Sequence, residues 1–144
     1  EVTAAGGTAK QLPLPATSFG NPTAVSEAIK AALLKDRTID AVMSIGAADA
    51  DSAANAILQA GATGRVKLGC FDLNQTVLDR IQHGDQLFAI DQQPYMQGYL
   101  ATAVLASHVA FGTSIPTQPI LTGPAIVDAS NVEATIAGVK AGVR

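Results

Sequence analysis

Short apolar runs alternate with longer stretches of helical period along most of this chain, and few architectures accept that rhythm. Ile39 to Ile45, Val66 to Phe71 and Leu87 to Ile90 read as strands, and the segments between them repeat apolar residues at helical spacing. A parallel sheet covered by helices satisfies both periods, because each strand then returns to the same edge through a helix. The expected class is therefore α/β, built of repeated strand-helix units.

Local signals place the boundaries. Pro22 suits a first helical position behind Asn21 as cap, and Val25, Ile29 and Leu33 carry that helix to about Lys35. After the strand Ile39 to Ile45, a loop at Gly46-Ala47-Ala48-Asp49 leads to a helix with the stripe Ala50, Ala53, Ala54, Ile57 and Ala60, ended by Gly61. Asn74 caps a short helix carrying Val77, Leu78 and Ile81, which Gly84 closes. Pro94 opens a long helix through Met96, Leu100, Val104 and Phe111, and Gly112 ends it. Ile120-Leu121 and Ala125-Ile126-Val127 are short apolar segments before a last helix from Ser130 to about Val139. Upstream, Gln11-Leu12-Pro13-Leu14-Pro15 is interrupted by proline, so it reads as an edge strand or the end of one.

Composition supports a packed core and removes several partners. Apolar residues make up 48% of the chain and charged ones 15%, which is a core-forming balance. The nine Lys and Arg residues form no basic stripe and the net charge is −3, so the footprint of a nucleic-acid binder is missing. No apolar run approaches the roughly 20 residues of a spanning helix, and Glu1-Val2-Thr3 does not begin a signal peptide. The single cysteine, Cys70, sits inside an apolar run and reads as a buried, unreactive thiol. No nucleophile elbow, phosphate-binding glycine loop, dinucleotide fingerprint or zinc-ligand spacing is present, so no catalytic residue, cofactor or metal is expected.

In open α/β sheets ligands bind beyond the carboxyl ends of the strands. The residues at those positions are Phe19 near the first turn, Gly46 to Asp49, Asp72, and Asp91-Gln92-Gln93. An aromatic face with carboxylates and amides suits a neutral polyol, whose hydroxyls need donors and acceptors and whose C–H face lies against a ring. Each residue also has a plainer use. Asp72 fits a turn or a helix cap, Gln92 and Gln93 fit a polar loop, Phe19 fits a core plug, and Asp49 and Asp51 fit a helix amino end. His83 and His108 have no acidic partner nearby in sequence and read as exposed helix positions.

The run Val66-Lys67-Leu68-Gly69-Cys70-Phe71-Asp72-Leu73, followed by Phe88-Ala89-Ile90-Asp91-Gln92-Gln93-Pro94-Tyr95-Met96-Gln97-Gly98-Tyr99, resembles the sugar-binding proteins of bacterial ABC importers, of the ribose-like type I class. The likeness extends to Leu121-Thr122-Gly123-Pro124-Ala125, to Ile39-Asp40-Ala41-Val42 and to the Ala-rich helix ending at Gly61, nearly the whole chain. Lactose-repressor-type regulators share the fold and much of this pattern. The resemblance implies that Asp72 accepts hydrogen bonds from sugar hydroxyls, that Gln92 lies at the crossover between two lobes, and that Phe19 or a neighbour stacks on the ring. The family often carries asparagine where this chain has Gly46, which leaves that hydrogen bond to a neighbour such as Asp49.

It further implies a three-layer, parallel-sheet lobe of a type I periplasmic binding protein, with crossover elements of the other lobe. Such proteins are about twice this length. Residues 1–92 would form most of the carboxyl-terminal lobe, 93–122 a helix and strand of the amino-terminal lobe, and 123–144 the return. The expected function is a solute receptor that closes on a small sugar or polyol and delivers it to a membrane permease, with the effector domain of a repressor as the alternative. An α/β enzyme fragment would need a catalytic constellation that the sequence lacks. The expected location is periplasmic or extracellular, lipid-anchored where the source lacks an outer membrane. The missing amino-terminal lobe is expected to be cleaved, disordered or carried on a second chain.

Overall fold

The computed structural model describes residues 2–144; Glu1 lies outside the described residues. The order of elements is a short 3₁₀ turn at Ala16–Ser18, α1 (Pro22–Lys35), β1 (Ala41–Ser44), α2 (Ala47–Gln59), β2 (Lys67–Phe71), α3 (Gln75–His83), β3 (Phe88–Asp91), α4 (Pro94–Phe111), β4 (Ala125–Asp128) and α5 (Val132–Lys140). The sheet runs β1-β2-β3-β4. Its first three strands are parallel, whereas β4 lies antiparallel to β3, with Asp91 opposite Ala125. The chain thus leaves the sheet at the end of β3 and re-enters at the same edge.

The local signals in the sequence act as expected. Asn21 accepts from the backbone N–H of Ala24 at 3.1 Å, and Asn74 from that of Val77 at 2.7 Å. Gly84 and Gly112 close α3 and α4 in the left-handed region, with φ of 83° and 66°. Two expectations need correction. Residues 7–15 form no strand, because Pro13 and Pro15 cannot donate to a ladder and no strand lies beside them. Ile120-Leu121, expected to belong to the other lobe, pairs with no strand among the described residues. The loop after β1 is shorter than expected: Gly46 is itself the cap of α2, so Asp49 lies in the helix's first turn.

Two apolar clusters lie between the sheet and the helices. Val25, Ile29 and Leu33 of α1 meet Ala53, Ala56 and Ile57 of α2 and Leu68 of β2. Val77, Leu78 and Ile81 of α3 meet Cys70, Ala89, Val127 and, from α5, Val132. The sheet register puts Val42, Leu68, Cys70, Ala89 and Val127 on one face, so both clusters cover the same side. Met43, Phe71, Phe88, Ile90 and Ile126 occupy the other face and none is buried. Gly69 leaves room there for the Phe88 ring, since a Cβ at residue 69 would lie 2.7 Å from it.

The segment α4 and the strap 113–124 stand over this open face across a groove of about 770 Å³, lined by residues such as Phe71, Ile90, Leu100, Val104 and Ile115. No residue of α4 is buried. With only Leu100, Val104 and Ser107 half-buried, this apolar helix has little beyond propensity to hold it, aided here by a stacked Tyr95–Tyr99 pair with ring centroids 6.2 Å apart. Val109 and Phe111 are each 82% exposed. Replacing both by Lys is therefore expected to change the stability of this chain by less than about 0.5 kcal/mol in urea unfolding. A loss of about 2 kcal/mol or more would show that α4 is packed. Among the described residues, no helix is long and apolar enough to cross a membrane.

Candidate functional site

The carboxyl ends of β1, β2 and β3 converge on one edge, and the polar residues that follow them form the candidate site. At the end of β2 the chain turns through Asp72, which takes a left-handed conformation with φ of 65°. Asp tolerates that region better than most residues, at a cost of order 1 kcal/mol. The turn is held by the Asp72 N–H, which donates to the Ile90 carbonyl at 2.9 Å, so β3 sets the position of the residue after β2. The Asp72 side chain is not a helix cap, since Asn74 does that work. Its Oδ1 instead accepts from Gln92 Nε2 at 2.5 Å.

The structure therefore brings together two of the residues singled out in the sequence. Gln92 is exposed and Asp72 only half-buried, so the pair presents a carboxylate and an amide to solvent side by side. That combination offers acceptors and donors to a hydroxylated ligand. Asp49 sits in the first turn of α2, beside Gly46, whose missing side chain leaves the carboxylate Oδ2 3.9 Å from where a Cβ would stand. The helix amino end favours its negative charge. Asp51, by contrast, ties α2 to α3: it forms an ion pair with Arg80 Nη1 at 2.8 Å and accepts from Thr76 Oγ1 at 2.9 Å and Asn74 Nδ2 at 3.3 Å.

Phe19 follows the 3₁₀ turn and is 95% exposed, which excludes a core role. The carboxyl end of α1 lies just before β1 begins, so Phe19, at the amino end of α1, lies toward the edge where the strands finish. No contact joins it to Asp72 or Gln92. His83 and His108 are exposed, each with its Nδ1 at 2.7 Å from a backbone carbonyl, of Asp79 and Thr113 respectively. Cys70 is fully buried. Desolvation pushes its thiol up, and its sulfur accepts from Gln86 Nε2 at 3.1 Å, so it is shielded from reaction. Among the described residues no group of three or more His, Cys, Asp or Glu side chains is placed to hold a metal ion.

The crossover is more tightly laced than the sequence suggested. Gln93 is left-handed, with φ of 56°, and its N–H donates to Asp91 Oδ1 at 2.8 Å. Its side-chain amide donates to the carbonyl of Thr122 on the returning segment. Thr122 Oγ1 donates back to the Gln92 carbonyl at 3.2 Å. Gly123 permits this approach, because a Cβ there would stand 3.2 Å from the Asp91 carbonyl. Sequence reasoning missed Arg144, whose Nε donates to Asp91 Oδ2 at 2.6 Å across 53 residues of chain. No local pattern marks that pair. The groove under α4 shares Gln92, Thr122 and Gly123 with the crossover but none of Asp49, Asp72 and Phe19, and its lining is mostly apolar, a poor match for a polyol.

Residues 8–114 match the family model of the periplasmic binding protein domain. The chain belongs to the periplasmic binding protein family. Its fold superimposes with a TM-score of 0.76 on a carbohydrate transporter from Acidothermus cellulolyticus solved in complex with myo-inositol, at 37% identity over 86% of this chain and 43% of that one. An ABC transporter solute-binding protein from Agrobacterium vitis, bound with α-D-tagatopyranose, gives 0.74 at 27% identity over 91% of this chain and 42% of that one. A xylose/arabinose-binding protein from Sulfolobus acidocaldarius is 33% identical over 70 residues, 49% of this chain and 17% of that protein. This chain spans less than half the length of these relatives. The α/β sheet of parallel strands with one antiparallel strand is that of a type I periplasmic binding protein lobe.

Proposed function

We propose that this chain forms most of one lobe, with the interlobe crossovers, of a receptor that binds a small sugar or polyol and delivers it to the membrane permease of an ABC importer. The observation that carries this reading is the Asp72–Gln92 pair, set at the strand edge where the chain leaves the sheet and returns. The relatives named above favour an importer's receptor over a repressor's effector domain. In the proposed arrangement Asp72 accepts sugar hydroxyls, Gln92 supplies a donor at the hinge, Asp49 adds a second carboxylate beside Gly46, and Phe19 offers its ring to the ligand's apolar face. The ligand is bound and released without a bond being made or broken.

A cyclic polyol such as myo-inositol is the first ligand to test, because a relative at 37% identity holds it. Residues 1–92 and 123–144 form this lobe, and 93–122 reach into an amino-terminal lobe supplied by the rest of a longer polypeptide or by a second chain. The bare surface of α4 supports that division, since a second lobe would cover it. The protein works in the periplasm or outside the cell, lipid-anchored where no outer membrane encloses it, and needs no metal, cofactor or nucleic acid. Calorimetric titration of the two-lobed protein with myo-inositol, xylose, tagatose and glucose is expected to give saturable binding of at least one. Silence across the panel would sink the proposal.

A further inference from the structure

We infer that Arg144 is a positioning residue for the ligand edge, acting through Asp91 on Gln92. The inference rests on the site reading above for its functional meaning, but its structural content stands on a chain of contacts. Asp91 is the last residue of β3, and its side chain is only 3% exposed. One carboxylate oxygen accepts from Arg144 Nε at 2.6 Å and the other from the Gln93 N–H at 2.8 Å. Asp91 is therefore held from one side by the guanidinium and holds the backbone of Gln93 on the other. Gln92 lies between these two anchored residues, and its side chain reaches Asp72.

Several features of the carboxyl-terminal segment serve to deliver this one side chain. Helix α5 starts beyond the far end of β4 and, anchored by buried Val132 and Thr135, runs back toward the crossover edge. Past its end the chain reverses at Gly142, with φ of 70°, and the N–H of Val143 donates to the Gly138 carbonyl at 3.1 Å. A side chain other than hydrogen at Gly142 would strain that turn. Arg144 then lies over the helix at Gly138, its Cβ and Cδ at ordinary contact distance, 3.5 and 3.6 Å, from where a Gly138 Cβ would be. A buried carboxylate needs a partner, and a cation resting on the flank of α5 supplies one without occupying the ligand edge.

Amide exchange and side-chain NMR on this chain test the coupling directly. Arg144→Gln leaves Asp91 charged and unpaired, so the double variant Asp91→Asn/Arg144→Gln, which buries no lone charge, is measured beside it. In both, the Gln93 amide is expected to exchange at least about tenfold faster and the Gln92 side-chain amide signals to move toward those of a free glutamine, while the core amides of Leu78 and Ile81 keep their protection. Arg144→Lys is expected to restore part of the Gln93 protection. In the two-lobed protein, the double variant is expected to raise the dissociation constant for myo-inositol about tenfold. Unchanged Gln92 and Gln93 signals in a folded double variant overturn the inference. So does exchange that accelerates equally at Gln93 and in the core, or, where the wild type binds, a double variant of the same affinity. A wild type that binds none of the sugars removes the site reading alone, and the exchange data still decide the positioning.

Discussion

Asp72→Asn is expected to weaken sugar binding in the two-lobed protein by two to four orders of magnitude while leaving the melting temperature unchanged. A carboxylate accepting two sugar hydroxyls contributes roughly 1.5–3 kcal/mol per bond, and each ~1.4 kcal/mol is a factor of ten in affinity. Asparagine is chosen because it tolerates the left-handed backbone that residue 72 adopts, whereas alanine would add strain of its own. The folded state should barely respond, since Asp72 is half-buried and its side chain accepts from the exposed Gln92. Calorimetry and a thermal melt on the same sample decide the matter. Affinity within threefold of wild type would show that Asp72 merely shapes the turn.

Leu78→Ala is expected to carry the largest stability loss, about 3–5 kcal/mol in urea unfolding. Leu78 is 1% exposed and packs among Val77, Ile81, Cys70, Ala89, Val127 and Val132. It joins α3 to the sheet where α5 also closes over it, so the surrounding side chains have little freedom to fill the cavity. Folded domains have only about 5–15 kcal/mol in hand, and this chain leaves one sheet face open, so a loss of this size brings it near the unfolding threshold. Leu58→Ala is the internal control: Leu58 is 68% exposed, and its loss should lie within about 0.5 kcal/mol. A Leu78→Ala loss under 1 kcal/mol would mean that the second cluster is loosely packed.

Much of the local structure was legible because its causes are local. A cap bond joins Asn21 to Ala24 and Asn74 to Val77, and a left-handed glycine ends α3 and α4, so the residues that decide each boundary lie within one helical turn of it. The start of α5 shows how a competing local bond shifts such a boundary. Ser130 donates to Asp128 through both its hydroxyl and its N–H, bonds that hold the Asp128 carboxyl below the usual range, and the helix begins only at Val132. The strand ends were legible for a different reason. Parallel connection puts every β-to-α turn on one edge, so Asp72 and Gln92 could be nominated from their places after apolar runs.

What sequence determined by itself was the alternation of strands and helices, their caps, and the candidates Asp72 and Gln92 at one edge, because periodicity and capping act between near neighbours. The resemblance, not the spacing, supplied the sugar. Only the tertiary structure decided that β4 runs antiparallel, that α4 buries none of its residues, and that residues 7–15 have no strand to pair with. It alone made the Asp72–Gln92 contact and the Asp91–Arg144 pair. These depend on which surfaces meet across tens of residues, and a hydrogen bond between residues 53 apart leaves no period or motif for a linear reading to find.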